Sequence, residues 1–440
     1  MIVLAALAVL HFVSPSADAP YREPQIASSS KLVALTFGSA NSIYVQTSTN
    51  QGESFSAPVK VSQMNVLPLS RHRGPHIAIS ESTLIVTAVA GNAEATGSHA
   101  HGLASDGDLY AWRSTDGGKS WSKGARINEV AASAREGLHA LAADGGGNIF
   151  AVWLDLRDGG TELYGSLSRD SGATWSANVP VYKSPDGHIC ECCHPSAAYS
   201  NDGTLDVMWR NCLGGSRDLY IAHSRDGRTF GQPEKLGLGT WKMDACPMDG
   251  GGLTHSKGKA ITAWRREADL FLAEPGKAET KIGRGRDIAV AANMDKVYAL
   301  WIEDSQLKLW VNGKTEILAE SAAFPSVKTL PGGGAVAAWE QDGESQSSGC
   351  HEGRCSGYHL AARETGKLIF QHRKARISSL RRASPCQAHL SVFLPIKAES
   401  PPAALVLECK GHAAGGHVRK TGLAESPRFV HDRKYLAVAR

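Results

Sequence analysis

Five of the nine cysteines are concentrated in one part of the chain, with a spacing that suits metal binding or disulfide formation. Three of them lie within four positions, and a histidine follows directly. Thiolates beside an imidazole are soft ligands for copper or zinc. The candidate metal ligands are Cys190, Cys192, Cys193, His194 and Cys246.

Disulfides are the alternative for the same cysteines, and the sequence favours them. The apolar N-terminus predicts export to an oxidising compartment, where neighbouring thiols pair. Bridges from the cluster to Cys212 and Cys246 would leave one spare thiol. We therefore expect no cofactor, with copper or zinc as the alternative. Spacing suggests two further bridges, Cys350 with Cys355 and Cys386 with Cys409.

A second set of candidates consists of arginines and carboxylates, most of them placed just after strands that end in tryptophan. At one face of a domain, such residues could bind an anionic sugar and supply paired carboxylates for glycoside chemistry. Solvated loop charges or mutual ion pairs are the alternative. The candidate carboxylate clamps are Arg73, Arg210 and Arg265, and the candidate acids or bases are Asp106, Glu303 and Glu340.

A repeated sequence pattern predicts the strands that position these residues. A small or polar residue begins a short apolar segment, and fourteen positions later an alternating strand ends in tryptophan. Period-two alternation predicts strands with one buried face. The repeated spacing predicts an all-β propeller of four-stranded antiparallel blades, with a β-sandwich as the alternative. The five pairs that share this offset are His139 and Trp153, Pro195 and Trp209, Gly250 and Trp264, Asp287 and Trp301, and Pro325 and Trp339.

The repeat predicts seven blades, with six to eight open. Pro75 to Val89 keeps the spacing with a smaller residue, and Pro24 to Phe37 is one position shorter. Toward the C-terminus, Pro385 could begin another unit. The segment from Pro427 onward matches the pattern that begins at Pro24, so a terminal copy could close the ring.

Four hairpin turns share the pattern Ser-x-Asp/Asn followed by glycine and an aromatic residue. The side-chain oxygen can accept backbone N–H groups, glycine can adopt positive φ, and the aromatic ring can pack between strands. This chemistry is local and structural. The turns are Ser48 to Phe55, Ser114 to Trp121, Ser168 to Trp175 and, one residue shorter, Ser224 to Phe230.

These turns resemble the Asp-boxes of the sialidase superfamily, over residues 24 to 235. The resemblance implies a propeller with any active site at its central mouth. It also implies a carboxylate-binding role for Arg73, because Arg73-Gly-Pro75 resembles the family's Arg-Ile-Pro motif. The following strand carries no second arginine, and Asp106 or Asp108 is available as the acid.

Three functions follow as expectations. The first is an exo-glycosidase acting on sialylated or other acidic glycans. The second is a non-catalytic module that recognises glycans or proteins, and the third is a metal-binding propeller that uses Cys190 to His194. A glycan or acidic small molecule is the expected ligand, and the sequence leaves the oligomeric state open.

Composition supports one globular, exported chain. The 440 residues carry a formal charge of only +4, which gives no electrostatic footprint for nucleic acid. Residues 1–19 read as a signal peptide, which leaves 20–440 as a single periplasmic or secreted domain without a membrane-spanning segment.

Overall fold

The computed structural model describes residues 9–13, 19–96, 102–344, 354–364 and 367–369, with side chains over 19–96 and 102–341. The regular structure in these ranges is β-strand, and within them no helix is long and apolar enough to span a membrane. The chain divides into two compact units, residues 1–372 with 438–440 and residues 373–437, and every described residue belongs to the first. Outside the described side chains lie Cys350, Cys355, Pro385, Cys386, Cys409 and the segment from Pro427.

Six sheets each contain four consecutive antiparallel strands. Blade 1 contains β2 (Tyr21–Ser28), β3 (Val33–Ser39), β4 (Ser42–Ser48) and β5 (Val59–Gln63), and blade 2 contains β6 (His76–Ser80), β7 (Thr83–Ala90), β8 (Asp108–Ser114) and β9 (Ala125–Arg126). Blade 3 contains β10 (His139–Ala143), β11 (Ile149–Asp155), β12 (Glu162–Ser168) and β13 (Val179–Tyr182), and blade 4 contains β14 (Ser196–Tyr199), β15 (Leu205–Arg210), β16 (Leu219–Ser224) and β17 (Glu234–Lys235). Blade 5 contains β18 (Gly252–Ser256), β19 (Lys259–Arg266), β20 (Asp269–Ala273) and β21 (Thr280–Arg284), and blade 6 contains β22 (Arg286–Ala292), β23 (Val297–Glu303), β24 (Gln306–Val311) and β25 (Lys314–Ala319).

A seventh sheet, called blade 7, contains five described strands: β1 (Val9–Val13), β26 (Ala322–Thr329), β27 (Ala335–Glu344), β28 (Arg354–Glu364) and β29 (Lys367–Ile369). Their order is β1-β28-β27-β26, and β29 also pairs with β28. The prediction of a signal peptide over residues 1–19 stays a prediction.

The seven first strands contact one another in order, so the described sheets form a ring. Side-chain hydrogen bonds join blade 7 to blade 1: Ile26 N donates to Ser326 Oγ at 3.3 Å, and Ser28 Oγ donates to Thr329 O at 2.7 Å. The predicted all-β propeller of four-stranded blades is confirmed, and its blade number lies within the expected six to eight.

The repeated aromatic residues pack between neighbouring blades. Trp209 of β15 shares one apolar cluster with Leu154 of blade 3, and Trp339 of β27 shares another with Leu300 of blade 6. Both tryptophans are buried, so their loss is expected to cost about 3–5 kcal/mol each. The fourteen-residue spacing therefore reflects one interblade contact repeated around the ring.

The four predicted turns each connect the third strand of a blade to its fourth. In blade 2, Asp116 Oδ1 accepts from the backbone N–H groups of Lys119 and Ser120, both at 3.0 Å. Gly118, with φ of 89°, donates its N–H to Ser114 Oγ at 2.9 Å. Related hydrogen bonds stabilise the turns around Asn50, Asp170 and Asp226.

Candidate functional site

The first strands begin, and the second strands end, on the face opposite these turns. In blade 3, for example, His139 at the start of β10 pairs with Trp153 near the end of β11. The beginning of β11 instead pairs with Ser168, where the turn starts. We call the face with the first-strand starts the mouth.

His72 connects several blades at the mouth. It lies in the loop before β6, where Arg71 and His72 have φ of 53° and 68°. Its Nε2 lies 3.0 Å from Asp287 Oδ1 of blade 6, and its ring contacts His194 and Phe324 at centroid distances of 4.3 and 5.4 Å. Left-handed backbone at consecutive non-glycine residues requires support from the surrounding structure, and these contacts supply it.

Four buried carboxyl groups form a network with this histidine: Glu23, Asp249, Asp287 and Glu340, together called the carboxylate cluster. His72 N donates to Glu23 Oε1 at 3.2 Å, and Glu23 N donates to Glu340 Oε1 at 2.6 Å. Asp287 N donates to Asp249 Oδ2 at 3.0 Å. The cluster therefore connects blades 7, 1, 2, 6 and 5.

Burial and like charge hold protons in this cluster. Burial, and then the Glu340 carboxyl, raise the pKa of Glu23 to about 8. Burial lowers the pKa of His72, but the hydrogen bond and charge of Asp287, with Glu23 and Asp249, outweigh it and raise the pKa to about 9. At neutral pH, Glu23 is therefore mainly a neutral acid and His72 an imidazolium.

Three sulfur atoms converge beside the carboxylate cluster, just before β14. Cys190 Sγ lies 3.2 Å from Cys193 Sγ and 3.7 Å from Cys192 Sγ, and the third separation is 4.0 Å. All three side chains are buried. We call Cys190, Cys192 and Cys193 the thiol cluster.

Three guanidinium groups lie within electrostatic range of this cluster. Arg73 interacts with Cys192, Arg210 with Cys190 and Cys193, and Arg217 with Cys190 and Cys192. Burial by itself raises the pKa of Cys193, but hydrogen bonds from the other two thiols and the charge of Arg210 lower it well below its usual value. The surroundings therefore favour a thiolate at Cys193. Hydrogen bonds with Cys190 and Cys193, and then burial, raise the pKa of Cys192. A hydrogen bond with Cys192 lowers the pKa of Cys190, but Cys193 and burial outweigh it and raise the pKa.

Arg210 binds backbone carbonyls, and is 1% exposed. It donates from Nε to Asp249 O at 3.0 Å, from Nη1 to Arg217 O at 2.6 Å and from Nη2 to Arg265 O at 3.0 Å. Each guanidinium nitrogen thus holds one segment of the mouth. Arg210 stabilises the site through these carbonyls, and none of its hydrogen-bond partners in the described part of the chain is a carboxylate. Its charge acts on the thiols Cys190 and Cys193.

His194 fastens the thiol segment to the loop before β18. Gly250 N donates to His194 Nδ1 at 3.3 Å, and His194 Nε2 lies 3.0 Å from Gly251 O. A Cβ on Gly250 would lie 1.8 Å from His194 O, so the close approach requires glycine. Both ring nitrogens of His194 are engaged, which leaves neither for an ion.

The remaining two cysteines of this region lie outside the thiol cluster. Cys212 is 9% exposed and Cys246 is exposed. In the structure all five cysteines carry free thiols, without the disulfides favoured from the sequence. Of the predicted metal ligands, Cys190, Cys192 and Cys193 are brought together, and Cys246 stands at the surface.

The predicted glycan-binding residues have separate environments. Arg73 is 3% exposed, donates from Nε to Glu136 O at 2.6 Å, and has a buried Nη1 without a hydrogen-bond partner among the described residues. Arg265 Nε lies 3.2 Å from Asp249 Oδ2, and Arg22 Nε lies 2.9 Å from Glu340 Oε2. These residues belong to the mouth.

The other two predicted acids are placed differently. Asp106 Oδ1 accepts from the backbone N–H groups of Asn92 at 2.8 Å and Ala93 at 3.1 Å, which shapes its own loop. Glu303 ends β23, opposite Gln306. Each residue has a local structural setting.

Sequence reasoning did not select Glu23, Asp249 or Asp287 as site residues. Their positions carried a usable signal, because each lies within three residues of a predicted blade start. First-strand starts meet at the mouth of a propeller, so polar residues at those positions were candidates as strong as those after the tryptophans.

No family model matches the chain, and no curated protein matches it significantly. Solved structures with similar folds include an α-L-arabinanase of Penicillium chrysogenum complexed with arabinobiose, at 14% identity and TM-score 0.46, covering 80% of this chain and 98% of that one. An ulvan lyase has 11% identity and TM-score 0.47, covering 79% and 97%. A Hadza microbial sialidase has 13% identity and TM-score 0.45, covering 78% and 75%. Likeness at this level carries no argument about activity, and membership of the sialidase superfamily stays a prediction.

Proposed function

We propose that the protein is an exported propeller that binds Cu(I) through Cys190, Cys192 and Cys193. The observation that carries the proposal is the convergence of three buried sulfurs, separated by 3.2, 3.7 and 4.0 Å. Three thiolates arranged in a plane around one ion, each about 2.3 Å from it, stand about 4 Å apart. Small side-chain adjustments therefore suffice for coordination.

The ligand set favours copper over zinc. Soft thiolates bind both Cu(I) and zinc, but structural zinc takes four protein ligands. Among the described residues, the group of potential ligand atoms found here contains only the three cysteine sulfurs. Three-coordinate Cu(I) matches this number.

Charge compensation supports the same assignment. Cu(I) bound by three thiolates has two excess negative charges, and such an anion is costly to bury unless cations accompany it. Arg73, Arg210 and Arg217 lie within electrostatic range of the cluster. Their charges stabilise the metal-bound form.

Anaerobic titration tests the proposal, with Cu(I) supplied by a coloured competing chelator. The wild-type chain should withdraw one Cu(I) and develop ultraviolet sulfur-to-copper absorption. Cys192→Ser should lower the affinity at least 100-fold, whereas Cys212→Ser should leave it unchanged. Failure of the wild type to compete, or equal affinity in Cys192→Ser, would overturn the assignment.

A second candidate is recognition or hydrolysis of sialylated or other acidic glycans. It is favoured by the buried Arg73 Nη1 without a partner among the described residues, in electrostatic range of Glu23. A ligand carboxylate could accept from this nitrogen, and Glu23 could donate a proton.

A fluorogenic sialoside distinguishes these roles. Hydrolysis by the wild type but not by Arg73→Ala supports a glycosidase with this clamp, and hydrolysis by both removes Arg73 from the role. Without hydrolysis, saturable sialoside binding that Arg73→Ala abolishes supports the recognition module.

A further inference from the structure

Cys246 is open to solvent and lies in the same loop as a residue that packs against the thiol cluster. Two residues later, Met248 packs against Cys190, Cys192 and Cys193. A two-residue step spans at most about 7 Å, so the surface thiol begins a short path of sulfur atoms toward the buried cluster. The Arg71 guanidinium contacts Met248 Sδ.

The loop that carries Cys246 is anchored on its inner side. Arg265 Nη2 donates to Pro247 O at 2.7 Å, and Arg210 Nε donates to Asp249 O at 3.0 Å. Both guanidinium groups lie over the Trp241 ring, with centroid distances of 5.5 and 5.3 Å. The loop therefore presents its thiol from a defined position.

Arg217 links the surface thiol electrostatically to the buried ones. Burial by itself lowers its pKa, but interactions with Cys190, Cys212, Cys246 and Cys192 outweigh burial and raise it. One guanidinium is thus within range of both ends of the sulfur path. It can stabilise thiolates along that path without blocking a sulfur atom.

We propose that Cys246 receives Cu(I) from a Cu(I)–thiol complex and passes it along Met248 to the thiol cluster. This inference rests on the proposed Cu(I) function. At the first step the Cys246 thiol releases its proton, its sulfur binds Cu(I), and the donor's sulfur leaves and takes up a proton. At the second step the Met248 thioether and then the cluster sulfurs displace Cys246 from the ion. Of the protons that the cluster thiols lose on binding Cu(I), one returns to Cys246 and the rest go to solvent. Copper stays Cu(I) throughout, so no oxidant or reductant is needed.

The test is anaerobic stopped-flow loading of the full chain from Cu(I)–glutathione, followed by sulfur-to-copper absorption. Cys246→Ser should slow loading at least tenfold and leave the final stoichiometry unchanged. Cys212→Ser is the matched control, because that thiol also interacts with Arg217 but is buried. It should load at the wild-type rate.

Different outcomes separate this inference from the function on which it rests. If the wild type takes up no Cu(I), the proposed function fails. If it takes up Cu(I) and Cys246→Ser loads equally fast, only the route is overturned. Loading that requires prior reduction of a disulfide at Cys246, detected by mass spectrometry, would also overturn the route and indicate a redox role.

Discussion

The two faces of the propeller differ in the range of their hydrogen bonds. The hydrogen bonds of each Asp/Asn turn connect residues up to four positions apart, whereas those at the mouth connect residues up to 317 positions apart. The turn carboxylates are exposed and accept several hydrogen bonds. Burial raises the pKa of Asp170, but hydrogen bonds from Thr174 and Ser168 together outweigh burial and lower the pKa to about 2. At the mouth, burial and Glu340 raise the pKa of Glu23 to about 8.

The same functional group therefore behaves in opposite ways on the two faces. A carboxylate that accepts several N–H and O–H groups in water holds its negative charge, whereas one buried beside another carboxylate holds its proton. Repeated local turns stabilise the fold blade by blade. The mouth contains buried charged and reactive groups, and contacts between several blades hold them in place.

The largest expected effect comes from Arg210→Met. This change removes a buried cation and leaves the carbonyls of Asp249, Arg217 and Arg265 without their donor. The free energy of unfolding should fall by about 3–5 kcal/mol in urea titrations, because each buried acceptor left unsatisfied costs about 1–3 kcal/mol. The matched control is Arg169→Met on the turn face, where an exposed guanidinium donates to Asp226 O. Equal losses in the two variants would contradict the contrast between the faces.

A smaller effect is expected for His72, whose protonated form increases the free energy of unfolding at lower pH. Its folded pKa of about 9 exceeds its ordinary 6.5, so its contribution is complete below pH 6.5 and is lost as the pH rises through 9. Glu23, raised from 4.5 to about 8, acts in the same direction between those values. Asp287, Glu23, Asp249, His194 and Phe324 face the imidazole.

The free energy of unfolding of the wild type should fall between pH 6 and 9. In His72→Gln this fall should be smaller by roughly 2–3 kcal/mol, measured by urea unfolding at each pH. His188→Gln, which replaces an exposed histidine, is the control and should retain the wild-type slope. An unchanged slope in His72→Gln would remove this histidine as the source.

The smallest effect is expected at a single turn. Asp170→Ala removes the acceptor for Thr174 N, at 2.8 Å, and should lower the free energy of unfolding by about 1 kcal/mol or less, since water competes at this exposed site. Asp170→Asn should cost less, because Asn50 supports the equivalent turn in blade 1. Thermal unfolding of the two variants checks the order, and a larger loss for asparagine would contradict it.

Much of the fold could be read from the residues themselves. The offset from His139 to Trp153 predicts a first and a second strand, and in the structure these residues pair across β10 and β11. The turn at Ser114 to Trp121 could be predicted equally well, because its hydrogen-bond donors and acceptors are close together in the sequence. Propeller architecture follows from such signals because each blade repeats the same local pattern.

The sequence by itself thus determined the strands, their phase and the hairpin turns, which depend on period-two burial and short-range hydrogen bonds. Only the tertiary structure decided that Arg210 braces carbonyls, that Asp106 shapes its own loop, and that His72 meets Asp287 across 215 positions. It also decided which cysteines converge. Such pairings depend on how the ring closes and on the burial that closure creates, and neither is encoded in the spacing of a single repeat.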